Sequence, residues 1–455
     1  MRRRLLLAVI AGAVGVGLLG FALGRPSGGP DPAAAVVSPA PTGATSPPAG
    51  GIPPSAAPSQ PPASGQPSTA PTSPTPPANT AAGLESQLQA TLDRLRIKAG
   101  MPGASATILF PDGSAWTGVS GLADVKAGRA VAPDTAFAVG SISKTFVATL
   151  VVQLAAEGRL GLGDAAWIYL PATVKLDHAI TVRQLLDHTS GLYDFFFHPR
   201  IDAALRANRA AIWTVARTLS YVGKPYFRPG LGWHYSNTNY LLLGLIAERV
   251  GRGSLADQFR ARFFEPLGLS TAFYEVDERP RGQLAHGYRF AGSKRTLPPI
   301  DLTDGTGVAP FRSVVTAAGG AGSIAASSVD IARWAKALYG GAVLTPESLD
   351  TMLGDVGNTA VYKPRVPYGL GVQSVTVGGW PAIGHSGRLL GFQGVMRYFP
   401  GKGIAVAVLT NQSRADPAVI VNGLVRIVAP PPLPPPLLVP SPWPSPVCAG
   451  VCPTP

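Results

Sequence analysis

Residues 137–146 read Phe137-Ala-Val-Gly-Ser141-Ile-Ser-Lys144-Thr-Phe, and they open an apolar segment that continues to about residue 157. The apolar residues of 143–157 recur with helical spacing, so Ser141 and Lys144 are expected on one face, one turn apart. A serine hydroxyl becomes a nucleophile when a neighbouring base accepts its proton, and a buried lysine with a lowered pKa can be that base. Taken alone, the S-x-x-K pattern is weak, because a helix-capping serine followed by a solvated lysine has the same letters.

A second polar segment contains a glycine-rich turn and reads Arg228-Pro-Gly-Leu-Gly-Trp-His-Tyr235-Ser236-Asn237-Thr-Asn-Tyr. Tyr235 and Asn237 are two residues apart, so their side chains point the same way if the backbone is extended. A phenol can accept and return a proton, and an amide can hold a substrate carbonyl. The alternative role is helix capping by Ser236 or Asn237 before a helix predicted over 239–250. Both roles are compatible, since capping orders the loop.

A third segment reads Gly384-His385-Ser386-Gly387-Arg388-Leu-Leu-Gly-Phe. Small residues at a strand edge let the backbone of a substrate approach closely. A strand followed by an ordinary loop is the alternative, because a single His-Ser-Gly is a weak signal.

Strand and turn signals lie near both ends of the central region. Apolar stretches 104–110 and 115–120 flank a Pro-Asp-Gly-Ser turn, and stretches 394–399 and 404–409 flank a Pro-Gly-Lys-Gly turn, so two β-hairpins are predicted. Helical periodicity covers residues 84–98, 143–157, 181–187, 208–220, 238–250, 255–264 and 329–340. We therefore predict an α+β fold, in which both chain ends form an antiparallel sheet flanked by helices, with an inserted, mainly helical lobe.

The N-terminus predicts export. Arg2, Arg3 and Arg4 precede an uncharged apolar run over residues 5–24. Residues 1–24 are therefore a signal peptide, which is removed, or a signal anchor, which would keep the chain in contact with the membrane. We expect an extracellular or cell-envelope protein that is secreted or is membrane-anchored through residues 5–24.

Two low-complexity segments flank the central domain, which we place at residues 84–429. Residues 25–83, rich in Pro, Ala, Ser and Thr, are predicted to be a disordered linker, and residues 430–455 a proline-rich tail. Together the two segments hold 29 of the 47 prolines, so the central region has ordinary globular composition. Cys448 and Cys452 in the tail can pair locally in an oxidising compartment.

The remaining composition excludes several classes of protein. The formal net charge is +13, but no basic stripe with interleaved aromatic residues occurs, so nucleic-acid binding is not expected. The chain has no H-x-H or H-E-x-x-H cluster, and we predict neither a metal site nor a cofactor. The absence of G-x-S-x-G argues against an α/β-hydrolase. We expect a monomer.

Together and in this order, the three segments resemble the S-x-x-K, S-D-N and K-T-G elements of the serine β-lactamase and penicillin-binding family. Tyr235 in the second element resembles the class C branch and its DD-peptidase and esterase relatives. Among those relatives, H-x-G often replaces K-T-G. The resemblance covers roughly residues 87–425. It is nearest to secreted D-alanyl-D-alanine carboxypeptidases of filamentous actinobacteria, which have runs similar to residues 190–194 and 235–239.

The resemblance implies the catalytic roles. Ser141 would be the acylated nucleophile. Lys144 and Tyr235 would share its proton and deliver it to the leaving group, and which of the two is the base stays open. The backbone N–H groups of Ser141 and Arg388 would form the oxyanion hole.

The resemblance also implies the substrate contacts. Asn237 would orient the substrate amide. His385, followed by Ser386 and Gly387, would stand where many relatives have lysine, touching Tyr235 or a substrate carboxylate, although a neutral histidine holds an anion poorly. His188 is expected to be a structural hydrogen-bond node.

Two features depart from those relatives. An arginine just after their Y-G-L-G segment helps bind the terminal carboxylate, whereas Val372 and Gln373 follow it here. Leu390 stands where they can have a polar group. Either Arg388 replaces the lost charge, or the pocket does not recognise a free carboxylate.

The leading interpretation is therefore a D-alanyl-D-alanine carboxypeptidase that acts on peptidoglycan stem peptides and reacts with β-lactams. The same mechanism would also suit a class C-like β-lactamase or an esterase. A non-catalytic penicillin-binding sensor module is the alternative from another class.

Overall fold

The computed structural model describes residues 78–290, 298–359 and 367–430. The predicted signal segment, most of the predicted linker, and the tail from residue 431 with Cys448 and Cys452 lie outside these ranges. Across the described residues, no helix is both long and apolar enough to cross a membrane.

The described strands form one large sheet and two small ones. The strands are β1 Gly103–Leu109, β2 Ala115–Asp124, β3 Arg129–Ala130, β4 Phe137–Ala138, β5 Phe273–Tyr274, β6 Tyr288–Arg289, β7 Ile300–Asp301, β8 Ile324–Ala326, β9 Gln373–Val377, β10 Trp380–Leu389, β11 Phe392–Phe399 and β12 Ile404–Thr410. The large sheet has the order β3-β2-β1-β12-β11-β10-β9, and its neighbouring strands are antiparallel.

Both predicted hairpins are confirmed, as β1 with β2 and β11 with β12. Strands from the two chain ends meet in the middle of the sheet, where β1 pairs with β12 from Ala104↔Thr410 to Leu109↔Ala405. The two chain ends therefore build the sheet as predicted, and the helices between them form the inserted part of an α+β fold.

The helices match the predicted periodicity with several differences. Their bounds are α1 Ala78–Ala99, α2 Ser143–Ala156, α3 Val182–Leu186, α4 Ile201–Ala207, α5 Val215–Leu219, α6 Asn237–Gly251, α7 Leu255–Phe259, α8 Arg312–Ala318, α9 Ser328–Tyr339, α10 Pro346–Thr359 and α11 Ala418–Val428. The sequence did not predict α4, α8, α10 or α11.

Two boundaries correct the sequence interpretation. The helix predicted over 208–220 is wrong for its first half. The backbone at Thr214 is extended, and the Thr214 hydroxyl caps α5 by accepting from the N–H of Arg217. Trp213, within the same predicted range, donates its backbone N–H to the Thr316 hydroxyl oxygen. At the other end, α1 already begins at Ala78, so residues 78–83 of the predicted linker are helical.

The sheet carries an apolar layer on each face. Strand β12 is buried on both faces, as its uninterrupted run of apolar residues requires. On one face, Val406 and Val408 pack against α1 and α11, and on the other Ala407 and Leu409 join the core of the helical lobe. In that lobe the rings of Phe146 in α2 and Trp334 in α9 stack with centroids 4.0 Å apart. This stack secures the helix that follows Ser141.

Candidate active site

Ser141 lies in a 3-10 turn, Gly140–Ile142, that continues directly into α2. Gly140 has φ +53°, and a Cβ there would lie 2.8 Å from the backbone nitrogen of Arg388. At Gly387 a Cβ would lie 1.8 Å from the carbonyl oxygen of Val139. Only glycine at both positions lets β10 lie directly against the turn, which brings the backbone of Arg388 beside Ser141.

Lys144 is fully buried at the centre of the site. Its Nζ donates to Ser141 Oγ at 3.0 Å, to Asn237 Oδ1 at 2.8 Å and to the backbone oxygen of Ala321 at 2.6 Å. Burial lowers the pKa of Lys144 from 10.5 to about 7, and the negative charge of Asp194 opposes that decrease. The neutral amine is therefore accessible near neutral pH.

These three contacts determine what the neutral amine can do. An ammonium gives one hydrogen to each partner, whereas a neutral amine has two hydrogens and a lone pair. The Asn237 carbonyl oxygen and the Ala321 backbone oxygen can only accept, so they keep the two hydrogens. The lone pair of Lys144 then faces the Ser141 hydroxyl, which is the geometry a base needs.

Tyr235 lies beside the pair with its hydroxyl buried. The Nζ of Lys144 is 4.9 Å from the centre of the Tyr235 ring. Burial raises the pKa of Tyr235 far above its usual range, and the nearby Ser141 side chain only partly offsets that. Among the described residues the hydroxyl has no hydrogen-bond partner of ordinary geometry. A tyrosinate is thus strongly disfavoured near neutral pH, and Lys144 is the better proton acceptor of the two.

The start of α6 differs from the predicted cap. The helix begins at Asn237, one residue before the range of predicted helical periodicity, and Ser236 occupies the N-cap position without a capping side-chain bond. The Asn237 side chain spans two charged groups, with its Oδ1 on Lys144 and its Nδ2 donating to Asp194 Oδ2 at 2.7 Å. Sequence reasoning missed Asp194 as a site residue, although it ends the 190–194 run that carries part of the resemblance.

His188 is the hydrogen-bond node that the sequence favoured. It is fully buried, its backbone has φ +68°, and its Nδ1 accepts from the N–H of Ser236 at 3.2 Å. Its ring lies 4.3 Å from the ring of Tyr235, centre to centre. Burial, and then the charge of Lys144, hold the pKa of His188 well below its usual range, so the ring is neutral.

The ring of His385 lies next to the ring of Tyr235, but its hydrogen-bond partners are other residues. It is buried in β10, its Nε2 lies 2.9 Å from the Tyr368 hydroxyl, and its Nδ1 lies 2.6 Å from the backbone oxygen of Ser386. That oxygen can only accept, so Nδ1 carries the proton and Nε2 accepts from Tyr368. The Tyr235 ring is 6.3 Å away, and burial lowers the pKa of His385 to about 3. His385 is therefore neutral, and it hydrogen-bonds Tyr368 rather than Tyr235.

A buried positive charge that the sequence did not predict lies near Ser386. The Arg388 side chain is exposed, whereas Arg397 in β11 is buried. Gln373 and Arg397 both pair with Gly384, and across this glycine Arg397 Nη2 donates to Gln373 Oε1 at 3.2 Å. The same oxygen accepts from the backbone N–H and the hydroxyl of Ser386, at 3.0 and 3.1 Å. Sequence reasoning missed Arg397, because only strand register brings it to the site.

One group of potential metal ligands comes together outside this site. Asp124, His286 and Asp301 each place one ligand atom within 4.8 Å of the others. The sequence predicted no metal site, and the three residues are far apart along the chain. His286 Nδ1 is 2.7 Å from Asp301 and its Nε2 is 3.6 Å from Asp124. We interpret the group as structural, because the contacts of His286 link Asp124 at the end of β2 to Asp301 in β7.

Comparison with known proteins identifies the family. Residues 82–429 match the family model described as Beta-lactamase. Penicillin-binding protein 4 of Amycolatopsis lactamdurans is 29% identical over 340 residues, which are 71% of this chain and 84% of that protein.

Two solved structures have the same fold. The D-stereospecific amidohydrolase from Streptomyces sp. is 29% identical, with a TM-score of 0.62 over 75% of this chain and 97% of that one. The D-amino acid amidase from Ochrobactrum anthropi SV3 is 24% identical, with a TM-score of 0.64 over 76% of this chain and 98% of that one. Since the family model covers most of the sequence, the chain belongs to the serine β-lactamase and penicillin-binding protein family.

Proposed function

We propose that this chain is a serine hydrolase that forms an acyl-enzyme at Ser141. The observation that carries the proposal is the 3.0 Å contact between Lys144 Nζ and Ser141 Oγ in a site where the amine is fully buried. A desolvated amine with its lone pair on a serine hydroxyl is an activated nucleophile pair.

The proposed acylation step balances as follows. Ser141 Oγ bonds to the substrate carbonyl carbon while its proton moves to Lys144 Nζ. The carbonyl oxygen becomes an oxyanion beside the backbone N–H groups of Ser141 and Arg388. When the carbon–nitrogen bond breaks, the leaving amine takes the Tyr235 hydroxyl proton, and Lys144 returns a proton to Tyr235. Water then repeats the sequence on the ester and releases the acid.

We propose D-alanyl-D-alanine peptides of peptidoglycan as the substrate, so that the chain acts as a carboxypeptidase. The similarity to a penicillin-binding protein supports this substrate. The buried Arg397 supports it further, because its positive charge lies behind Ser386 and would favour a substrate carboxylate there. We also propose that the chain is exported, since the apolar run over residues 5–24 follows three arginines.

A second candidate function is hydrolysis of a D-amino acid amide that lacks a terminal carboxylate. Two observations favour it. Val372 and Gln373 follow the Y-G-L-G segment, where the carboxypeptidases that the sequence resembles have an arginine, and the Arg388 side chain is exposed. The 29% identical Streptomyces structure is described as a D-stereospecific amidohydrolase.

One set of assays separates these functions. The purified protein is incubated with penicillin and its intact mass is measured, with Ser141→Ala as control. We expect one added penicillin on the wild type and none on the variant.

Turnover is then compared on a diacylated peptide ending in D-Ala-D-Ala, a D-amino acid amide, a cephalosporin and a short acyl ester. D-alanine release supports the carboxypeptidase, and amide turnover alone would replace it with the amidase. Preference for the cephalosporin or the ester selects those alternatives, and labelling without turnover selects a sensor.

A further inference from the structure

We propose that Asp194 is a positioning residue, which holds the Asn237 amide with its carbonyl oxygen on Lys144 and so aims the lone pair of Lys144 at Ser141. The inference rests on the proposed function, because the orientation of Lys144 matters for catalysis only if Ser141 is the nucleophile. Its geometry is independent of the substrate.

Asp194 is fully buried, and both of its carboxylate oxygens are occupied. Oδ2 accepts from Asn237 Nδ2 at 2.7 Å, and Oδ1 accepts from the backbone N–H of Phe196 at 3.0 Å. Burial raises the pKa of Asp194 above its usual value, but the N–H donors of Phe196 and Asn237 and the charge of Lys144 oppose that increase and favour the carboxylate. An ionised carboxylate only accepts hydrogen bonds, so the NH₂ group of Asn237 faces it. The Asn237 carbonyl oxygen is thereby turned toward Lys144, at 2.8 Å.

The orientation of the Asn237 amide matters, because rotating the amide by 180° would exchange its oxygen and its nitrogen. Its NH₂ group would then point at Lys144 and would compete with the Ser141 hydroxyl for the lone pair of the neutral amine. Its carbonyl oxygen would at the same time face the Asp194 carboxylate without a hydrogen between them. Both changes are unfavourable in a buried site, so the Asp194 charge selects one of the two amide orientations.

The backbone around Asp194 is tied to the start of α6. The Thr238 hydroxyl donates to the carbonyl oxygen of Tyr193 at 2.6 Å and accepts from the N–H of Phe195 at 3.3 Å. The Asp194 N–H donates to the Tyr226 hydroxyl oxygen at 3.3 Å. These bonds fix the carboxylate relative to the helix that carries Asn237, as precise positioning of a site requires.

Asp194 also acts on the charge of Lys144. The other titratable groups that face the amine are Tyr235, Tyr240, His188 and His385, and burial keeps each of them in its neutral form. The negative charge of Asp194 thus offsets part of the decrease in the pKa of Lys144 that burial causes. Removing it should lower the pKa of Lys144 below its present value of about 7.

The test is the nearly isosteric variant Asp194→Asn, assayed as kcat/KM on a nitrophenyl ester from pH 4 to 9. We expect a fall of at least about tenfold on the alkaline plateau and a shift of the acid limb to lower pH by about one unit. Asp330→Asn is the matched control, since Asp330 is an equally buried carboxylate that binds Thr271 away from the site. It should leave both the plateau and the limb unchanged. A uniform loss in Asp194→Asn, with the acid limb unmoved, would reduce Asp194 to a structural residue and overturn the proposal.

Asp194→Glu separates the two effects and serves if Asp194→Asn fails to fold. It keeps the charge but lengthens the side chain, so the plateau should fall while the acid limb stays in place.

A readout without catalysis comes from the ¹³C resonance of the Lys144 side chain, followed with pH in protein labelled at lysine. Unequal titration of wild type and Asp194→Asn supports the inference even if no substrate is turned over, which would refute only the proposed function. Equal titration overturns the inference itself.

Discussion

The pH dependence of Ser141 acylation is the sharpest consequence of the site. Only the neutral form of Lys144 can accept the serine proton, and the pKa of Lys144 is about 7. At pH 5 about 1% of the amine is neutral, and at pH 8 about 90%. If Lys144 is the base, kcat/KM should therefore rise by about 90-fold from pH 5 to pH 8 and then level off.

A short-chain nitrophenyl ester suits this measurement. Its leaving group departs without a proton, so the profile reports removal of the Ser141 proton and not the return of a proton through Tyr235. Product is followed at a wavelength where nitrophenol and nitrophenolate absorb equally. Ser141→Ala gives the background at each pH, and Lys144→Met should lose the rise because it has no amine.

Two outcomes would contradict the assignment of Lys144. A rate that is constant from pH 5 to 8 would mean that no group with a pKa near 7 controls the step. A rate that climbs only above about pH 9 would identify a base with a much higher pKa, as expected for Tyr235.

Three further changes test other parts of the structure. Tyr235→Phe removes a buried hydroxyl that has no hydrogen-bond partner of ordinary geometry among the described residues, so the melting temperature should stay the same or rise. Amide hydrolysis should fall by at least about 100-fold and ester hydrolysis less, and equal losses on both substrates would exclude proton delivery by Tyr235. Gly387→Ala places a Cβ against the carbonyl oxygen of Val139 and should lower kcat/KM by about 100-fold or more. Gly401→Ala is the control and should leave kcat/KM unchanged, because its Cβ meets no atom within 4 Å. Equal activities of the two variants would refute the close packing at Gly387. Burial raises the pKa of Glu275 from 4.5 to about 8, so its stabilising contribution is complete below about pH 4.5 and is lost as the pH rises through 8, by up to about 5 kcal/mol. Thermal unfolding of Glu275→Gln should therefore depend less on pH between 5 and 9 than that of the wild type, and parallel curves would show that Glu275 is not the group responsible.

The local parts of the site were readable from the sequence. Ser141 and Lys144 are one turn apart, and the turns at 111–114 and 400–403 marked both hairpins, because these patterns depend only on neighbouring residues. The α+β fold followed from the positions of the hairpins at the two chain ends.

The parts that were missed depend on contacts between distant segments. Asp194 reaches Lys144 only through Asn237 on another element, and Arg397 reaches Ser386 only through strand register. The hydrogen bond between His385 and Tyr368 depends on how a separate loop packs against β10. No periodicity or spacing encodes such contacts.

The pairing of β1 with β12 has a consequence for how the protein is made. The N–H of Gly103 donates to Asn411 Oδ1 across 308 residues of chain, so the sheet cannot close until nearly the whole domain has been synthesised. Contacts of such long range slow folding. Strand β10, which carries Gly387 and Arg388, also appears late in synthesis. A nascent chain would thus contain Ser141 and Lys144 long before it contains the strand beside them, and should have no hydrolytic activity until its C-terminal part has been made.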